Sequence, residues 1–277
     1  LRAQLVIALD ASGAAGAVVA GGLGAPRLQA FAQVPLTPGA VEPSPLEPNL
    51  RRPDEVKDAL STLARALGGR RGAVTLVLPN GVARVLLMDA PADVPARQFA
   101  RYRLTPGLPY PAEEAIVDVL ALPRGRILAA AVRRGVVEGY EAAAQAAGLE
   151  HERLDLAPLA ALAALLREPP GEGPAVHVLL GDAAASLAAV QDGVLQAFRT
   201  RLRDTSTGEA GRLEEDADRT SALAGPGPAP RLRAVGAGAA VLARAWSEAG
   251  RAAEAGWRVQ GIPGEAAEMG WLGGALL

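Results

Sequence analysis

Residues 126–167 read RILAAAVRRGVVEGYEAAAQAAGLEHERLDLAPLAALAALLR, and this stretch decides the fold class. Its apolar run, Ile127 to Val132, has the pattern of a buried strand. Next, Val136, Val137, Tyr140, Ala143, Ala144 and Ala147 recur at the helical period, with Gly148 where a helix C-cap belongs. Leu154 and Leu156 alternate as in a strand, Pro158 suits a helix start, and a Leu/Ala helix follows to about Leu166. Strand, helix, strand, helix at this spacing predicts an α/β protein with helices packed against a sheet. The stretch holds no nucleophile beside a base, no metal-ligand spacing and no glycine-rich phosphate loop.

Upstream, Pro35 to Pro53 is proline-rich without periodicity and reads as a surface loop. Asp54 to Leu67 is a helix with Val56, Leu60, Leu63, Ala64 and Leu67 inward. The apolar runs Ala73 to Pro79 and Val82 to Asp89 meet at Asn80-Gly81, which predicts a β-hairpin. Pro95 to Leu104 is a short helix carrying Phe99 and Tyr102, followed by a proline-rich bend at 106–111 and a strand from Ala115 to Leu120.

The order of these features carries a resemblance. Arg101-Tyr102-Arg103-Leu104 leads to Leu108-Pro109-Tyr110-Pro111-Ala112-Glu113-Glu114; then come Val136-Val137-x-x-Tyr140, Ala147-Gly148-Leu149 and Leu154-Asp155-Leu156-x-Pro158-Leu159-Ala160. In that order they resemble the middle of the PilM family, cytoplasmic actin-like proteins of type IV pilus assembly, over roughly Val74 to Leu166. The resemblance implies a cytoplasmic scaffold at the inner face of the inner membrane. It implies that the N-terminal tail of a PilN-like inner-membrane protein binds in a groove beside an insertion subdomain. It also implies contact with other pilus or secretion assembly proteins, and self-association as a ring or dimer. The cytoplasmic domain of the type II secretion protein GspL is a related alternative, which a hydrophobic segment beyond Leu277 would favour.

A second pattern is internal. Strands at Gln4–Asp10, Ala14–Ala20 and Leu28–Val34 recur in kind at Ala175–Leu180, Ser186–Val190 and Val194–Arg199. The third strand of each set contains Leu-Gln-Ala-Phe, at 28–31 and 195–198. Such a repeat predicts a duplication and two related sheets, and it is similar to the actin, Hsp70 and sugar-kinase fold with its two RNase H-like lobes. The expected organisation is a first lobe over 1–168, carrying an insertion subdomain at about 85–150, and a reduced second lobe over 175–277. Glu168 to Pro174 is the linker between them. In the second part, helices are expected at Thr207–Leu223, Ala240–Glu248 and Glu265–Leu276, with strands at Leu232–Val235 and Trp257–Gln260.

Composition narrows the function. Of 277 residues 50% are hydrophobic but only 3% aromatic, so the core must be built from Leu, Val and Ala. A net charge of -2 gives no general attraction for nucleic acid or an acidic membrane. Lys57 is the single lysine. Without cysteine there is no disulfide, thiolate metal site or cysteine nucleophile, which fits a cytosolic protein. His151 and His177 lie far apart in expected strands and read as structural. No uninterrupted apolar run reaches the length of a membrane span. The opening at Leu1 rather than Met is compatible with a removed leader.

The resemblance also implies a place for nucleotide: phosphates between two glycine turns, with Mg2+ held through an aspartate. By position, Asp10, Ser12 and Gly13 match the first turn, Gly181 and Asp182 the second, and Gly236 and Gly238 the turn that meets adenosine. By chemistry the match is poor. Ser12 replaces the first glycine, no lysine follows, Asp182-Ala183-Ala184 lacks the usual glycine, and the segment between Arg199 and Gly236 is short for the family. The expectation is a vestigial site with no catalytic residue, metal or bound cofactor; ATP with Mg2+ in an active actin-like ATPase is the alternative. Arg97, Arg101, Tyr102, Arg103 and Tyr110 are the candidate partner-binding residues, the arginines for charge and the aromatics, with Phe99, for pockets. Glu113-Glu114 and Glu214-Glu215-Asp216 read as solvated acidic faces, and the alternating Arg199, Arg201 and Arg203 as an exposed edge.

Overall fold

Two meanders with the same alternation of apolar residues build two sheets of the same design. The computed structural model describes residues 3–20, 27–46, 48–68, 73–167, 173–204, 208–223, 231–236, 238–248 and 258–261. In chain order the first part is β1 (Ala3–Asp10), β2 (Gly13–Ala20), β3 (Arg27–Pro35), α1 (Pro53–Ala66) and β4 (Ala73–Leu78). Then come β5 (Ala83–Asp89), α2 (Ala96–Leu104), β6 (Ala115–Leu122), β7 (Arg126–Arg133), α3 (Arg134–Ala146), β8 (Glu150–Leu156) and α4 (Ala157–Arg167). The second part is β9 (Ala175–Leu180), β10 (Ala184–Gln191), β11 (Val194–Leu202), α5 (Glu209–Ala222), β12 (Arg231–Gly236), α6 (Ala239–Glu248) and β13 (Arg258–Gly261).

The first sheet has the order β3-β2-β1-β4-β8 and the second β11-β10-β9-β12-β13. In both, three antiparallel strands are followed by two that run parallel to the first. The likeness extends to a defect. Val18 and Val19 face Ala30 and Leu28, which leaves Gln29 as a bulge; Ala189 and Val190 face Ala197 and Leu195, which leaves Gln196 as one. The repeated Leu-Gln-Ala-Phe therefore puts its glutamine at the same irregularity of the same edge strand in both halves. The expectation of a reduced second lobe does not extend to its sheet, which has the same five-strand order as the first. The expected helix at 265–276 lies outside the described residues.

Strand β1, at the centre of the first sheet, buries both faces. Leu5, Ile7 and Leu9 of β1 join Leu60 and Leu63 of α1 and Tyr140 and Ala144 of α3, while Val6 and Ala8 turn to Val77 and Ala160. The larger cluster also takes in Leu179, Phe198 and Val235, so one apolar core joins residues of both halves. Tyr140 and Trp246 are fully enclosed, and each has its polar atom satisfied: Tyr140 donates to Asn49 Oδ1 at 3.2 Å and Trp246 Nε1 to the Ala210 carbonyl at 2.8 Å.

Two expectations fail in this region. Asn80-Gly81 is not a hairpin, because β4 pairs with β1 and β8 whereas β5 joins β7 and β6 in a separate three-stranded sheet. The two residues carry the chain from one sheet to the other. The insertion also ends earlier than 150: the strands of the small sheet stop at Arg133, and α3 and β8 pack with α1 and β4 of the first sheet.

Of the five acidic residues that the sequence reads as solvated, Glu113 and Glu215 are exposed, whereas Glu114, Glu214 and Asp216 are paired or buried. Glu214 is buried, and Asp216 takes Arg201 at 2.8 Å with Arg199 and Arg219 nearby. The alternating arginines of β11 thus fasten α5 to the sheet, rather than leaving a bare edge. Glu114 is held by Arg133 at 2.6 Å. His151 meets Glu141 at 3.0 Å, and His177 is buried, its pKa pushed down to about 3 by burial and by Arg233 and Arg231.

Candidate functional site

The two meander turns meet face to face. β1 ends in Asp10 and β9 in Leu180, and the turns that follow close on one another through their own carboxylates. Asp182 Oδ2 accepts the Ser12 backbone N–H at 2.7 Å, and Asp10 Oδ2 accepts the Asp182 N–H at 3.1 Å. Asp10 Oδ1 accepts the Ala11 N–H at 2.9 Å. Burial, and after it the negative charge of Asp182, raises the Asp10 pKa to about 7; the N–H groups of Asp182 and Ala11, and then Arg203, oppose that rise. Gly181 is a glycine because of this closure. A Cβ there would lie 2.9 Å from the Asn80 Cβ and 3.3 Å from Asp10 Oδ2. The second turn has therefore kept a close backbone approach, toward the first lobe rather than toward a phosphate.

Two residues that sequence reading did not assign complete the junction. Asn80 is buried and donates from Nδ2 to the carbonyls of Leu179 at 3.3 Å and Ala184 at 3.1 Å, while its Oδ1 accepts from Ser186 at 3.0 Å. Arg203 grips Glu209 through two bonds of 2.9 and 3.0 Å and donates to the Gly181 carbonyl at 2.8 Å. The alternation of Arg199, Arg201 and Arg203 was the one available signal for the arginine. Asn80 gave none, because beside Gly81 it looks like a turn residue. Changing Asn80 to alanine leaves buried acceptors and the Ser186 hydroxyl short of partners, so a loss of about 3 kcal/mol is expected. Urea midpoints at constant slope check it.

Beside the paired turns lies a cavity of about 560 Å³. Its walls are mostly apolar, among them Leu9, Val34, Pro35, Leu179 and Val235, with Asp10, Ser12, Asn80 and Asp182 at the polar end. Of the seven nucleotide-site candidates, Asp10, Ser12, Gly13, Gly181, Asp182 and Gly236 line it; Gly238 does not. The Ser12 and Asp182 N–H donors are taken by carboxylates, and Arg203, the cation at the junction, is committed to Glu209. Among the described residues no group of three or more His, Cys, Asp or Glu is placed to hold a metal ion.

The partner-binding candidates separate. Tyr110 is buried in the small subdomain's core and forms no surface pocket; burial also raises the pKa of its hydroxyl. Arg101 is exposed, but its guanidinium holds the bend by donating to the carbonyls of Ala112 at 3.1 Å and Ala115 at 3.2 Å. Arg97 pairs with Asp118 at 2.7 Å, and Phe99 packs partly inward. Tyr102, 76% exposed, and Arg103 do face a groove, of about 450 Å³, which they share with Arg84, Leu86, Met88 and Pro106.

No protein-family model matches the chain, and no curated protein matches it in sequence. Solved structures do match its shape. A chain of the PilM–PilN type IV pilus biogenesis complex has a TM-score of 0.75 at 20% identity, over 99% of this chain and 97% of that one. A protein with an actin-like ATPase fold from Bacteroides thetaiotaomicron gives 0.64 at 10% identity, over 100% and 96%. The fold is actin-like. The cytoplasmic domain of EpsL, an inner-membrane component of the type II secretion system of Vibrio cholerae, gives 0.60 at 13% identity, over 99% and 95%. Among the described residues no helix is long and apolar enough to cross a membrane.

Proposed function

We propose that this actin-like protein is a cytoplasmic scaffold of a type IV pilus or related assembly machine, and that it works without ATP turnover. In this reading it binds the N-terminal tail of a PilN-like inner-membrane protein and so sits at the membrane's inner face. The observation that carries the loss of turnover is the reciprocal closure of Asp10 and Asp182, which spends on carboxylates the N–H groups a phosphate would need. The likeness in shape to the PilM–PilN complex supports the assembly role. A GspL-like part in secretion is the second reading, favoured by the EpsL likeness over nearly the whole chain.

For the tail, the groove at Tyr102 offers an exposed aromatic anchor, the apolar Leu86 and Met88, and the two cations Arg84 and Arg103 to fix direction. Tested by fluorescence anisotropy with a labelled peptide of the membrane partner's N-terminal tail, a Tyr102→Ala, Arg103→Glu variant is expected to bind about tenfold more weakly, or worse. Undiminished binding moves the tail to another surface. In the same preparation millimolar MgATP should shift the melting temperature by less than roughly 1 °C, because a ligand at a hundred times its Kd adds about 2.7 kcal/mol. A shift of several degrees, with phosphate release, would favour the active ATPase instead.

A further inference from the structure

The Asn80-Gly81 pair, which the fold uses to join two sheets rather than to turn a hairpin, carries a chemistry of its own. A glycine after asparagine leaves its backbone nitrogen unshielded, and that nitrogen can close on the asparagine side-chain amide. The fold requires the glycine: Gly81 has a φ of 97°, and a Cβ there would lie 3.1 Å from the Ala184 Cβ. It requires the asparagine as well, because Nδ2 donates to the carbonyls of Leu179 and Ala184 while Oδ1 accepts from Ser186. All three partners belong to the second half. The same bonds fix the amide plane, and at 3% exposure Asn80 is shut off from water. The chain's other asparagine, Asn49, precedes Leu50, whose side chain shields its nitrogen.

We propose that Asn80 is a deamidation site gated by the contact between the two halves, and that modification there parts them for good. When the junction opens, the Gly81 nitrogen gives up its proton to solvent base and attacks Asn80 Cγ; the Cγ–Nδ2 bond breaks, and Nδ2 leaves as ammonia. Water then opens the succinimide ring at either carbonyl. The products are aspartate, or isoaspartate with the main chain rerouted through the side chain between β4 and β5. Neither restores the junction. A carboxylate has no hydrogen to give to Leu179 or Ala184, so two carbonyl oxygens would face an anion in a junction that already holds the carboxylates of Asp10 and Asp182. A chain that stays closed keeps its amide, and one that opens for long enough is marked.

The test is independent of the tail peptide and of nucleotide. Folded chain and chain in guanidinium chloride are incubated side by side at pH 8, and the tryptic peptide 72–84, whose single asparagine is Asn80, is followed by mass spectrometry for aspartate and isoaspartate. In the denatured chain Asn80 should convert and Asn49 should lag well behind. In the folded chain conversion of Asn80 should be slower by a factor of about 100 or more, since it proceeds only from the opened state. A Ser186→Ala variant, short of one bond at the junction, should convert about fivefold faster than the parent when folded and no faster in denaturant. Converted chains returned to buffer should show a lower urea midpoint than unconverted chains taken through the same denaturant. Equal conversion in folded and denatured chain, a folded Ser186→Ala variant that converts at the parent's rate, or converted chains with the parent's midpoint would overturn the proposal.

Discussion

A Gly236→Ala substitution should remove on the order of 4 kcal/mol of stability or more, enough to unfold many proteins of this size. Gly236 ends β12 at a φ of 106°, and a Cβ there would lie 2.0 Å from the Leu180 carbonyl oxygen and 3.0 Å from its carbon. The obstacle is backbone at the end of a central strand, which no rotamer change can move aside. Gly238, two residues on, supplies the control. Its φ is 83°, but a Cβ would meet nothing within 4 Å, so Gly238→Ala should cost only about 1 kcal/mol for the left-handed backbone. Urea denaturation of both variants decides it. A Gly236→Ala protein with the parent's midpoint would mean that β9 and β12 do not approach as described.

An Asp10→Asn substitution should change the direction in which pH acts on the fold. In the folded chain the Asp10 carboxyl has its pKa raised to about 7, against an ordinary 3.8. Between those values the folded state holds a proton that the unfolded state has released, so this group makes stability fall as pH rises from about 4 to 7. Above 7 the penalty is complete. The amide cannot ionise and escapes it, although it gives up one of the two acceptor oxygens now used by Ala11 and Asp182. The variant should therefore be more stable than the parent by ~1–3 kcal/mol at pH 8 and equal or slightly weaker at pH 4.5. Thermal melts at the two pH values measure it, and parallel shifts at both would remove Asp10 from the account.

Local pattern found most of the elements and few of their partners. Helix α1, strands β9 and β10, and the strand and helix that make up β7 and α3 stand close to where their periodicity puts them, because each buries one stripe or both faces in a Leu/Val/Ala core. The repeated Leu-Gln-Ala-Phe pointed to two related sheets, and its physical meaning, a shared bulge, needed the strand pairing. Asn80-Gly81 failed for the opposite reason. Turn propensity is a property of two residues, whereas which sheet β5 joins depends on β6 and β7, some thirty or more positions later. The site divides in the same way. Asp10 and Asp182 were legible as ends of equivalent meanders, but nothing in either turn says that each carboxylate reaches the other's backbone. Tyr110 was misplaced because a proline-bounded aromatic looks the same whether it faces solvent or the core.

The Asn80 bonds to Leu179 and Ala184 also bear on timing. In a two-lobed protein whose lobes are drawn together by a ligand, the shape presented to a partner rises and falls with that ligand's supply. Under the function proposed above, where no nucleotide acts, the junction between the halves is held by side chains of the chain itself, Asn80 among them, present from the moment it folds. On that reading a partner that recognises this surface would meet it at full strength at once, and its occupancy would then follow from how much of each protein the cell makes. Assembly built on such a part would be governed by expression and by the order of synthesis, with no internal clock to reset.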